Sequence, residues 1–318
     1  MGGSYMQLSD RIGRRMKLYD LHVLMSVVQA GSMSKAAAVL NTTQSTISRS
    51  IADLEQTIGV RLLDRGPQGV EPTQYGRTLL KHGVVAFDEL KLGVKNIEFL
   101  ADPEAGEVRI GSNPLLAASF VTAVVDRLFR RYPRIVFHVR ATQVETLHRD
   151  LHERNVDLLI TRRFGPIADE RLGFEILFDE SFVVAAGERN PLARRRKVAF
   201  ADLANEAWVL PPPESGLGSV AREAFRASGL DYPRVTLFAD PSEVLISLAA
   251  TGCFLTIIPA SALRFPTRRP EINELPLKLP IGRVPVGIVT LKDRTLSPVA
   301  QLFIQHAREV AKPLVKQK

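Results

Sequence analysis

A cluster of hydroxyl, amide and guanidinium groups occurs within seven residues near the start of the chain, at Thr43, Gln44, Ser45, Ser48 and Arg49. A glutamine amide can form two hydrogen bonds with adenine, serine pairs with several bases, and arginine binds phosphate. On a helix that begins at Gln44, the free backbone N–H groups and the positive dipole end would also attract phosphate. These groups therefore fit contact with a nucleic-acid duplex. For any one of them alone, a solvated helix face is the alternative.

Apolar residues on the opposite side of this segment predict the helix that must position the cluster. They recur at three- and four-residue spacing, at Ile47, Ile51, Leu54 and Ile58, and Gly59 follows as a helix terminator. We expect a helix over about residues 44–57 that buries this apolar side and leaves the polar side free.

Two shorter helices are predicted before it. The first runs from Leu18 to about Ala30 and stops at Gly31, and the second is capped by Ser32 or Ser34. A polar turn at residues 41–43 then leads into the third helix. Three short helices with this turn form a helix-turn-helix arrangement, in which Ser34 is a further candidate contact to DNA.

Residues 61–73 predict a β-wing after the third helix. Two short extended pieces flank a turn that contains Gly66, Pro67 and Gly69. Arg65 is a candidate phosphate contact, and Thr73 can cap the next helix and contact phosphate there.

A long helix is predicted over about residues 74–100. Its apolar stripe consists of Leu80, Val84, Phe87, Leu90, Val94 and Ile97. Packing on the helix's own domain is one interpretation of this stripe. We favour a linker helix that dimerises, because residues 101–103 (Ala-Asp-Pro) end it in a linker.

From Gly106 onward the pattern changes to alternating strands and helices. Strands are expected at 108–111, 135–140, 157–161, 174–178, 182–186, 207–210, 235–239, 255–258 and 286–291, and helices at 115–131, 143–154, 219–228, 242–250 and 298–312. This alternation predicts parallel sheets with helices on both faces. The length favours two α/β subdomains with a cleft between them.

From near Met16 to about Lys312, and most densely over residues 17–83, the chain resembles the LysR-type transcriptional regulator family. The residues that carry the resemblance are Thr43, Gln44, Ser48, Arg49, Leu54-Glu55, Leu62-Leu63, Arg65 and Thr73. The chain departs from the family pattern in two places: Ser45-Thr46 stand where Pro-Ala or a similar pair is frequent, and Pro72 replaces a usual leucine.

The resemblance implies an α+β multidomain protein. Its expected parts are a flexible leader (1–16), a winged helix-turn-helix domain (17–73), a linker or dimerisation helix (74–102) and an effector-binding regulatory domain (103–318). The last would be a two-lobed, periplasmic-binding-protein-like (type 2) fold, with lobe one at about 106–179 and 271–318 and lobe two at about 180–270.

The expected partners are a double-stranded DNA operator, a small-molecule effector and further copies of the chain, as a dimer or tetramer formed through residues 74–100 and the regulatory domain. RNA polymerase is a further candidate partner.

Polar residues at strand ends are the candidate effector contacts, because ligands of such sheets bind beyond the carboxyl ends of the strands. They are Ser112, Asn113, Thr142, Gln143, Thr161 and Arg162 in lobe one, and Pro213, Ser215, Asp240 and Ser242 in lobe two. Each could instead be a helix cap or turn residue. Arg162 and Arg163 fit an organic anion, and a solvated surface pair is an equal alternative.

A second function class arises from residues 216–221, which match a G-x-G-x-x-A dinucleotide fingerprint. A redox enzyme or sensor is the alternative, but residues 211–215 separate the preceding strand from the first glycine. His148 and His152 lie four residues apart and are interpreted as a solvated face rather than as metal ligands. No catalytic nucleophile pattern occurs, and we expect neither an enzyme nor a cofactor.

Composition adds weaker constraints. The net charge of +8 is spread along the 318 residues, so it is weak evidence for DNA binding on its own. No apolar run reaches the roughly 18 residues of a membrane span, and the first residues lack the apolar core of a signal peptide. We therefore expect a cytoplasmic protein without membrane contact. The one cysteine, Cys253, lies in an apolar run and is expected to be buried.

Overall fold

The computed structural model describes residues 15–66, 69–240, 242–265 and 271–315. They form two compact units, one up to Gly93 and one from Val94 onward. Residues 1–14 of the predicted leader, Pro67 of the wing turn, Pro241 and Pro270 lie outside the described residues. Within the described ranges, no helix combines the length and apolar content that crossing a membrane requires.

The first unit contains the predicted helices and wing. Its elements are α1 (Leu18–Ala30), α2 (Met33–Val39), α3 (Gln44–Ile58), β1 (Leu63–Gly66), β2 (Gly69–Pro72) and α4 (Gln74–Ala101), the last of which continues into the second unit. The side chains of Leu24, Ile47, Ile51, Leu54 and Leu62 are fully buried and hold α1, α3 and the start of the wing together. Three of the four apolar residues expected on α3 are therefore in this core, and Ile58 is half-buried at its edge.

Local capping sets the helix boundaries in this unit. Of the two expected caps of α2, Ser32 is the one that acts, because its hydroxyl accepts a hydrogen bond from Lys35 N at 3.1 Å. Ser34 lies inside α2 and is exposed. Gly31 and Gly59 adopt positive φ angles of 69° and 86° directly after α1 and α3, which is the conformation that a glycine terminator supplies.

The wing is an antiparallel pair in which Leu63 lies opposite Pro72. It is tied to α1 by a hydrogen bond from Val70 N to Gly31 O at 3.0 Å. Thr73 N donates to Leu62 O at 2.9 Å and so closes the base of the wing where α4 begins.

The second unit contains two five-stranded sheets. Lobe one has β3 (Ala105–Ser112), β4 (Arg134–Ala141), β5 (Leu158–Arg162), β6 (Leu172–Glu180) and β12 (Val284–Leu291), with α5 (Pro114–Leu116), α6 (Thr122–Phe129), α7 (Val144–His152) and α11 (Pro298–Val315). Lobe two has β7 (Phe182–Gly187), β8 (Trp208–Leu210), β9 (Val235–Phe238), β10 (Leu255–Pro259) and β11 (Ile272–Glu274), with α8 (Gly216–Ala227), α9 (Ser242–Ala250) and α10 (Ser261–Arg264).

Both sheets are mixed, whereas the sequence predicted parallel sheets. The strand orders are β4-β3-β5-β12-β6 and β11-β7-β10-β8-β9. β12 runs antiparallel to β5 and β6, and β7 runs antiparallel to β10 and β11. The direction of a strand depends on the end from which the chain enters a sheet. In this fold the chain passes between the lobes, and apolar runs do not encode that route.

The first passage between the lobes falls between Glu180, the last residue of β6, and Phe182, the first of β7. The predicted return at residue 270 is wrong. β11 pairs with β7 of lobe two, and Leu275 is fully buried in the core of that lobe. β11 and the apolar residues that follow it complete the core of lobe two, so the chain rejoins lobe one only at β12.

Two other sequence expectations need correction. Cys253 is exposed, because it lies in the turn between α9 and β10, where its N–H donates to Thr251 Oγ1. The single helix expected over 115–131 is α5 and α6 joined by a π-helical turn at Ala117–Val121. The Thr122 hydroxyl donates to Ala117 O at 2.8 Å, which inserts a side chain into the helical bonding pattern.

A matched pair of glycines on α4 tests how tightly this helix packs against the wing. A Cβ on Gly76 would lie 2.1 Å from Leu62 O, whereas a Cβ on Gly93 would meet nothing within 4 Å. We expect Gly76→Ala to destabilise the wing by about 1–3 kcal/mol, through overpacking. Gly93→Ala should stabilise α4 by about 1 kcal/mol, through helix propensity. Amide hydrogen exchange over residues 62–80 measures the first effect, and exchange over residues 85–100 measures the second. Unchanged exchange over residues 62–80 in Gly76→Ala would contradict the close packing of Gly76 against Leu62.

Candidate nucleic-acid interface and effector cleft

The polar side of α3 is free of the core. Gln44, Ser45 and Arg49 are exposed and Ser48 is half-buried, whereas Ile47 and Ile51 on the opposite side are 0% exposed. Among the described residues, the Gln44 amide and the Arg49 guanidinium have no side-chain partner. The structure therefore brings together, on one accessible surface, the amide, hydroxyl and guanidinium groups that the sequence singled out.

The N-terminus of α3 is organised by hydroxyl groups. Thr43 Oγ1 accepts a hydrogen bond from Thr46 N at 3.2 Å and lies 2.9 Å from the hydroxyls of both Ser45 and Thr46. Thr43 thus has a defined structural role as the N-cap. Its hydroxyl is committed to positioning the first turn, from which Gln44 and Ser45 project.

Buried polar contacts fix α3 against its neighbours. The Ser50 hydroxyl donates to Asp20 Oδ1 of α1 at 2.6 Å, and both side chains are buried. Near the other end of the helix, Glu55 Oε1 accepts hydrogen bonds from Leu62 N at 2.7 Å and from Leu63 N at 3.2 Å. The Leu54-Glu55 pair of the sequence pattern therefore has a physical purpose, since one residue fills the core and the other holds the wing.

The wing contributes exposed cations. Arg65 lies exposed on β1. Thr73 is occupied structurally, because its hydroxyl donates to Arg61 O at 2.8 Å and accepts from Gly76 N at 3.0 Å. Sequence reasoning did not single out Arg61 and Arg77, which are exposed immediately before and after the wing.

A cavity of about 1000 Å³ lies between the two lobes of the second unit. Eight of the ten candidate effector residues line it: Asn113, Thr142, Gln143, Thr161, Arg162, Ser215, Asp240 and Ser242. The rule that ligands bind beyond strand ends thus placed most of these residues at one cleft.

Ser112 and Pro213 are not among the residues that line this cavity. Ser112 is fully buried, and its hydroxyl donates to Ile160 O of the adjacent strand at 2.8 Å. Ser112 is thus occupied inside lobe one, and the residue after it, Asn113, lines the cleft instead.

Several hydroxyl and amide groups of the cleft already have partners. Thr161 Oγ1 donates to Asn113 Oδ1 at 2.8 Å, and the Gln143 amide donates to Asp240 of the other lobe. Ser215 caps α8, since its hydroxyl accepts from Gly218 N at 3.0 Å. The Gln143–Asp240 bond joins the lobes directly, so a molecule that enters the cleft meets a contact that depends on how far the lobes are closed.

The two adjacent arginines have different environments. The buried Arg162 guanidinium pairs with Glu180 at 3.2 Å, and Glu180 Oε1 also accepts from Ser261 N at 3.0 Å. Burial lowers the pKa of Arg162, an effect that the carboxylate of Glu180 opposes. Arg163, by contrast, is half-buried and lies over the Phe174 ring at 4.8 Å. Arg162 is therefore neutralised where β6 leads into lobe two, and Arg163 is the more available cation.

The sequence analysis interpreted His148 and His152 as a solvated face and placed no ionisable side chain other than Arg162, Arg163 and Asp240 at the cleft. His148 lines the cavity; burial lowers its pKa, and the nearby positive charge of His152 lowers it further. His152 Nε2 lies 2.8 Å from Asp169 Oδ2, and hydrogen bonds from Arg171 hold the pKa of Asp169 well below its usual range. In the described part of the chain, no three His, Cys, Asp or Glu side chains are arranged to bind a metal ion.

The two glycines of the dinucleotide-like pattern are explained by packing. A Cβ on Gly216 would lie 2.4 Å from the Phe164 ring of lobe one, and a Cβ on Gly218 would lie 1.9 Å from Pro212 O. Small residues are required at these positions whatever the cleft binds. The spacing of residues 216–221 therefore carries no evidence for a nucleotide.

A winged helix-turn-helix joined to a two-lobed α/β domain defines a class of ligand-responsive DNA-binding regulators, and comparison with known proteins agrees. The family description "Bacterial regulatory helix-turn-helix protein, lysR family" matches residues 18–77, and "LysR substrate binding domain" matches residues 101–312. The chain belongs to the LysR family. It is a LysR-type DNA-binding transcriptional regulator with an effector-binding domain, and both the family resemblance and the predicted fold class are confirmed.

Individual relatives are similar over nearly the full length. The transcriptional dual regulator GltC of Bacillus subtilis is 28% identical over 292 residues, which cover 91% of this chain and 96% of GltC. A full-length OxyR variant from Pseudomonas aeruginosa has a TM-score of 0.67 at 18% identity, covering 95% of this chain and 99% of OxyR. Full-length CbnR complexed with its target DNA has a TM-score of 0.55 at 20% identity, covering 93% of this chain and all of CbnR.

Two serines on opposite sides of α3 allow its anchoring and its exposed surface to be separated. Ser50→Ala should destabilise the first unit by about 1–3 kcal/mol, because it leaves the buried Asp20 carboxylate without its donor. Ser48→Ala should leave stability within about 0.5 kcal/mol, as expected for an accessible site. The stability difference between the two variants is measured by denaturant unfolding of the full chain. Hydrogen exchange of α1 and α3 then shows whether the loss of stability lies in the first unit. A larger destabilisation from Ser48→Ala than from Ser50→Ala would reverse the assignment of the two faces.

Proposed function

We propose that α3 is the recognition helix and that it reads operator DNA through Gln44, Ser45 and Ser48, with Arg49 on the phosphate backbone. The observation that carries this proposal is the two-sided character of the helix. Ile47, Ile51 and Leu54 on its apolar side are buried, while its polar side carries an amide and a guanidinium without side-chain partners among the described residues. An α-helix fits the major groove, and these groups match base edges and phosphates.

Contacts to the DNA backbone would come from the elements around this helix. Arg65 on the wing is exposed and can reach phosphate, and Ser34 on α2 is exposed as well. Thr43 and Thr73 would act mainly by positioning, because their hydroxyls cap α3 and α4. A protein that places two such units on a pseudo-palindromic site would recognise an operator with matching half-sites.

We propose that α4 provides a surface for self-association as a dimer or tetramer. The expected apolar stripe divides into two parts. Leu80 and Phe87 pack against the core of the first unit, whereas Leu90, Val94 and Ile97 are 50%, 55% and 68% exposed. Burial of such a stripe against a second copy would remove apolar area from water, which stabilises association.

The cleft of the second unit would hold a small-molecule effector. Asn113, Thr142, Gln143 and Thr161 offer hydrogen-bonding groups from lobe one, and Ser215, Asp240 and Ser242 offer them from lobe two. A ligand that contacts both lobes favours one degree of closure. Effector binding would therefore be coupled to DNA binding if the protein has two arrangements that differ in their affinity for the effector.

Substitutions on the recognition helix test the DNA-binding proposal. Arg49→Ala should weaken binding to operator and to random duplex alike, and lower the salt dependence by about 0.9, because one phosphate would no longer be neutralised. Gln44→Ala should instead relax the preference for one base pair, at a cost of about 1–3 kcal/mol on the preferred site. Fluorescence anisotropy with duplexes selected from a random library, at matched salt, distinguishes the two patterns. Unchanged affinity and base preference in both variants would remove α3 from the interface.

Two isosteric Thr→Val substitutions test the effector proposal. Thr161 lines the cleft, whereas Thr256 is completely buried in lobe two, and its hydroxyl has no hydrogen-bond partner among the described residues. A thermal-shift screen of organic acids, amino acids and sugars against the full chain should identify a stabilising compound. Thr161→Val should reduce its affinity by roughly tenfold, the equivalent of one hydrogen bond of about 1.4 kcal/mol. Thr256→Val should keep the response and preserve or raise the melting temperature. A compound that stabilises both variants equally well would place its site elsewhere.

A further inference from the structure

A basic loop projects from lobe two, outside both the recognition helix and the cleft. Four consecutive cations, Arg194, Arg195, Arg196 and Lys197, are all exposed. We call residues 193–197 the basic loop. No carboxylate residue occurs between Arg189 and Val198, so the segment is uniformly positive.

The backbone of this loop is held firmly at both ends. Before it, Leu192 is buried in the core of lobe two, and Asn190 accepts a hydrogen bond from Leu192 N at 2.9 Å while donating to Gly252 O at 3.0 Å. After it, Val198 is buried in the same core, and Asp202 accepts from Ala199 N at 2.9 Å. Because the anchors fix the main chain, binding through the loop would order only side chains, which lowers its entropic cost.

Within the part of the chain that the structure describes, one weak ion pair involves the cations of the loop. Arg195 approaches Asp202 at 3.9 Å, a long contact between exposed groups that contributes little to stability. Arg194, Arg196 and Lys197 have no carboxylate partner among the described residues. Four like charges in a row repel one another, so the loop adds self-repulsion to the folded protein unless an anion approaches it.

The sequence on either side of the loop favours a polyelectrolyte over a folded protein as the partner. Protein interfaces depend on buried aromatic or aliphatic anchors. Among the described residues, no large apolar side chain between Ile176 and Leu237 is strongly exposed. A rigid cationic loop without an apolar anchor instead suits the phosphates of a duplex, which lie close together and are bound by guanidinium groups through paired hydrogen bonds.

We propose that the basic loop binds phosphate groups of duplex DNA, so that the effector-binding domain adds a sequence-independent contact to that of the recognition helix. This contact goes beyond the proposed function, because it reads no bases and involves neither α3 nor the cleft. Its contribution to affinity would disappear at high salt, because the free energy gained by releasing counterions falls as the salt concentration rises.

The test is a salt titration of full-length protein on two duplexes, one with the selected operator and one of random sequence and equal length. The variant R194A/R195A/R196A/K197A should lower the slope of log K against log salt by about 0.9 for each phosphate that the loop neutralises in the wild type, hence by about 1.8 or more if at least two cations bind DNA. The decrease should be the same on both duplexes. A variant that keeps the charge, R194K/R195K/R196K, should retain most of the slope.

A scattered variant controls for net charge. R149A/R234A/K278A/K292A removes four exposed cations that lie outside the basic loop, and it should change the slope by much less. An unaltered melting temperature verifies that each variant is folded. Equal slopes in wild type and the loop variant, or equal decreases in the loop and scattered variants, would overturn the proposal. Loss of transcriptional control with an unchanged slope would also overturn it, and would indicate an acidic protein partner.

The two proposals fail in different ways. If α3 does not read DNA, wild type will show no preference for the operator over the random duplex, and Arg49→Ala will match wild type. The loop variant can still show a reduced salt slope on the random duplex in that case. If only the loop proposal fails, operator preference remains and the slopes coincide.

Discussion

The packing of one amphipathic helix is the constraint on which the first unit depends. α3 carries apolar side chains on one side and polar groups on the other, and the completely buried Ile47 and Ile51 fix its rotation about its own axis. The buried Ser50–Asp20 hydrogen bond and the contacts of Glu55 with the wing fix its axial position. Rotation of α3 by half a turn would bury the Arg49 charge and expose core side chains, at a cost of several kcal/mol. The accessible polar surface is therefore a consequence of core packing, and the same contacts hold the wing beside it.

In the second unit, too, some polar side chains hold the structure together while others are available to a ligand. Buried groups such as Ser112 and Arg162 have partners inside lobe one or at its junction with lobe two, so they hold the walls of the cleft in place. The residues next to them in the sequence, Asn113 and Thr161, offer an amide and a hydroxyl group to the cleft, which Arg162 also borders. The close approach of Phe164 to Gly216 and the Gln143–Asp240 bond join the lobes, so closure of the cleft has defined contacts to make or break.

Sequence patterns predicted the elements well wherever periodicity and capping act locally. The start of α3 at Gln44, the terminators Gly31 and Gly59 and the cap at Thr73 all follow from local chemistry. Features that depend on tertiary structure were missed. Strand direction in the mixed sheets and the place of the three-residue β11 depend on how the chain passes between lobes. Cys253 was misjudged because its apolar neighbours belong to two elements, with the thiol in the turn between them. Ser112 and Asn113 are adjacent in the sequence, yet only Asn113 lines the cleft, and the sequence pattern does not distinguish them. No pattern in the sequence indicated that His148 lines the cleft.

The central claim is that the polar side of α3 lies against DNA bases when the protein is bound. Photo-cross-linking to a selected duplex in which single thymines carry a diazirine at C5 tests it directly, because the carbene formed on irradiation inserts into any side chain that lies against the base, including glutamine and serine. Peptide mapping should locate cross-links in the tryptic peptide that contains Gln44, Ser45 and Ser48, at a restricted set of duplex positions. Cross-links distributed evenly over the duplex, or confined to peptides of the second unit, would contradict the account.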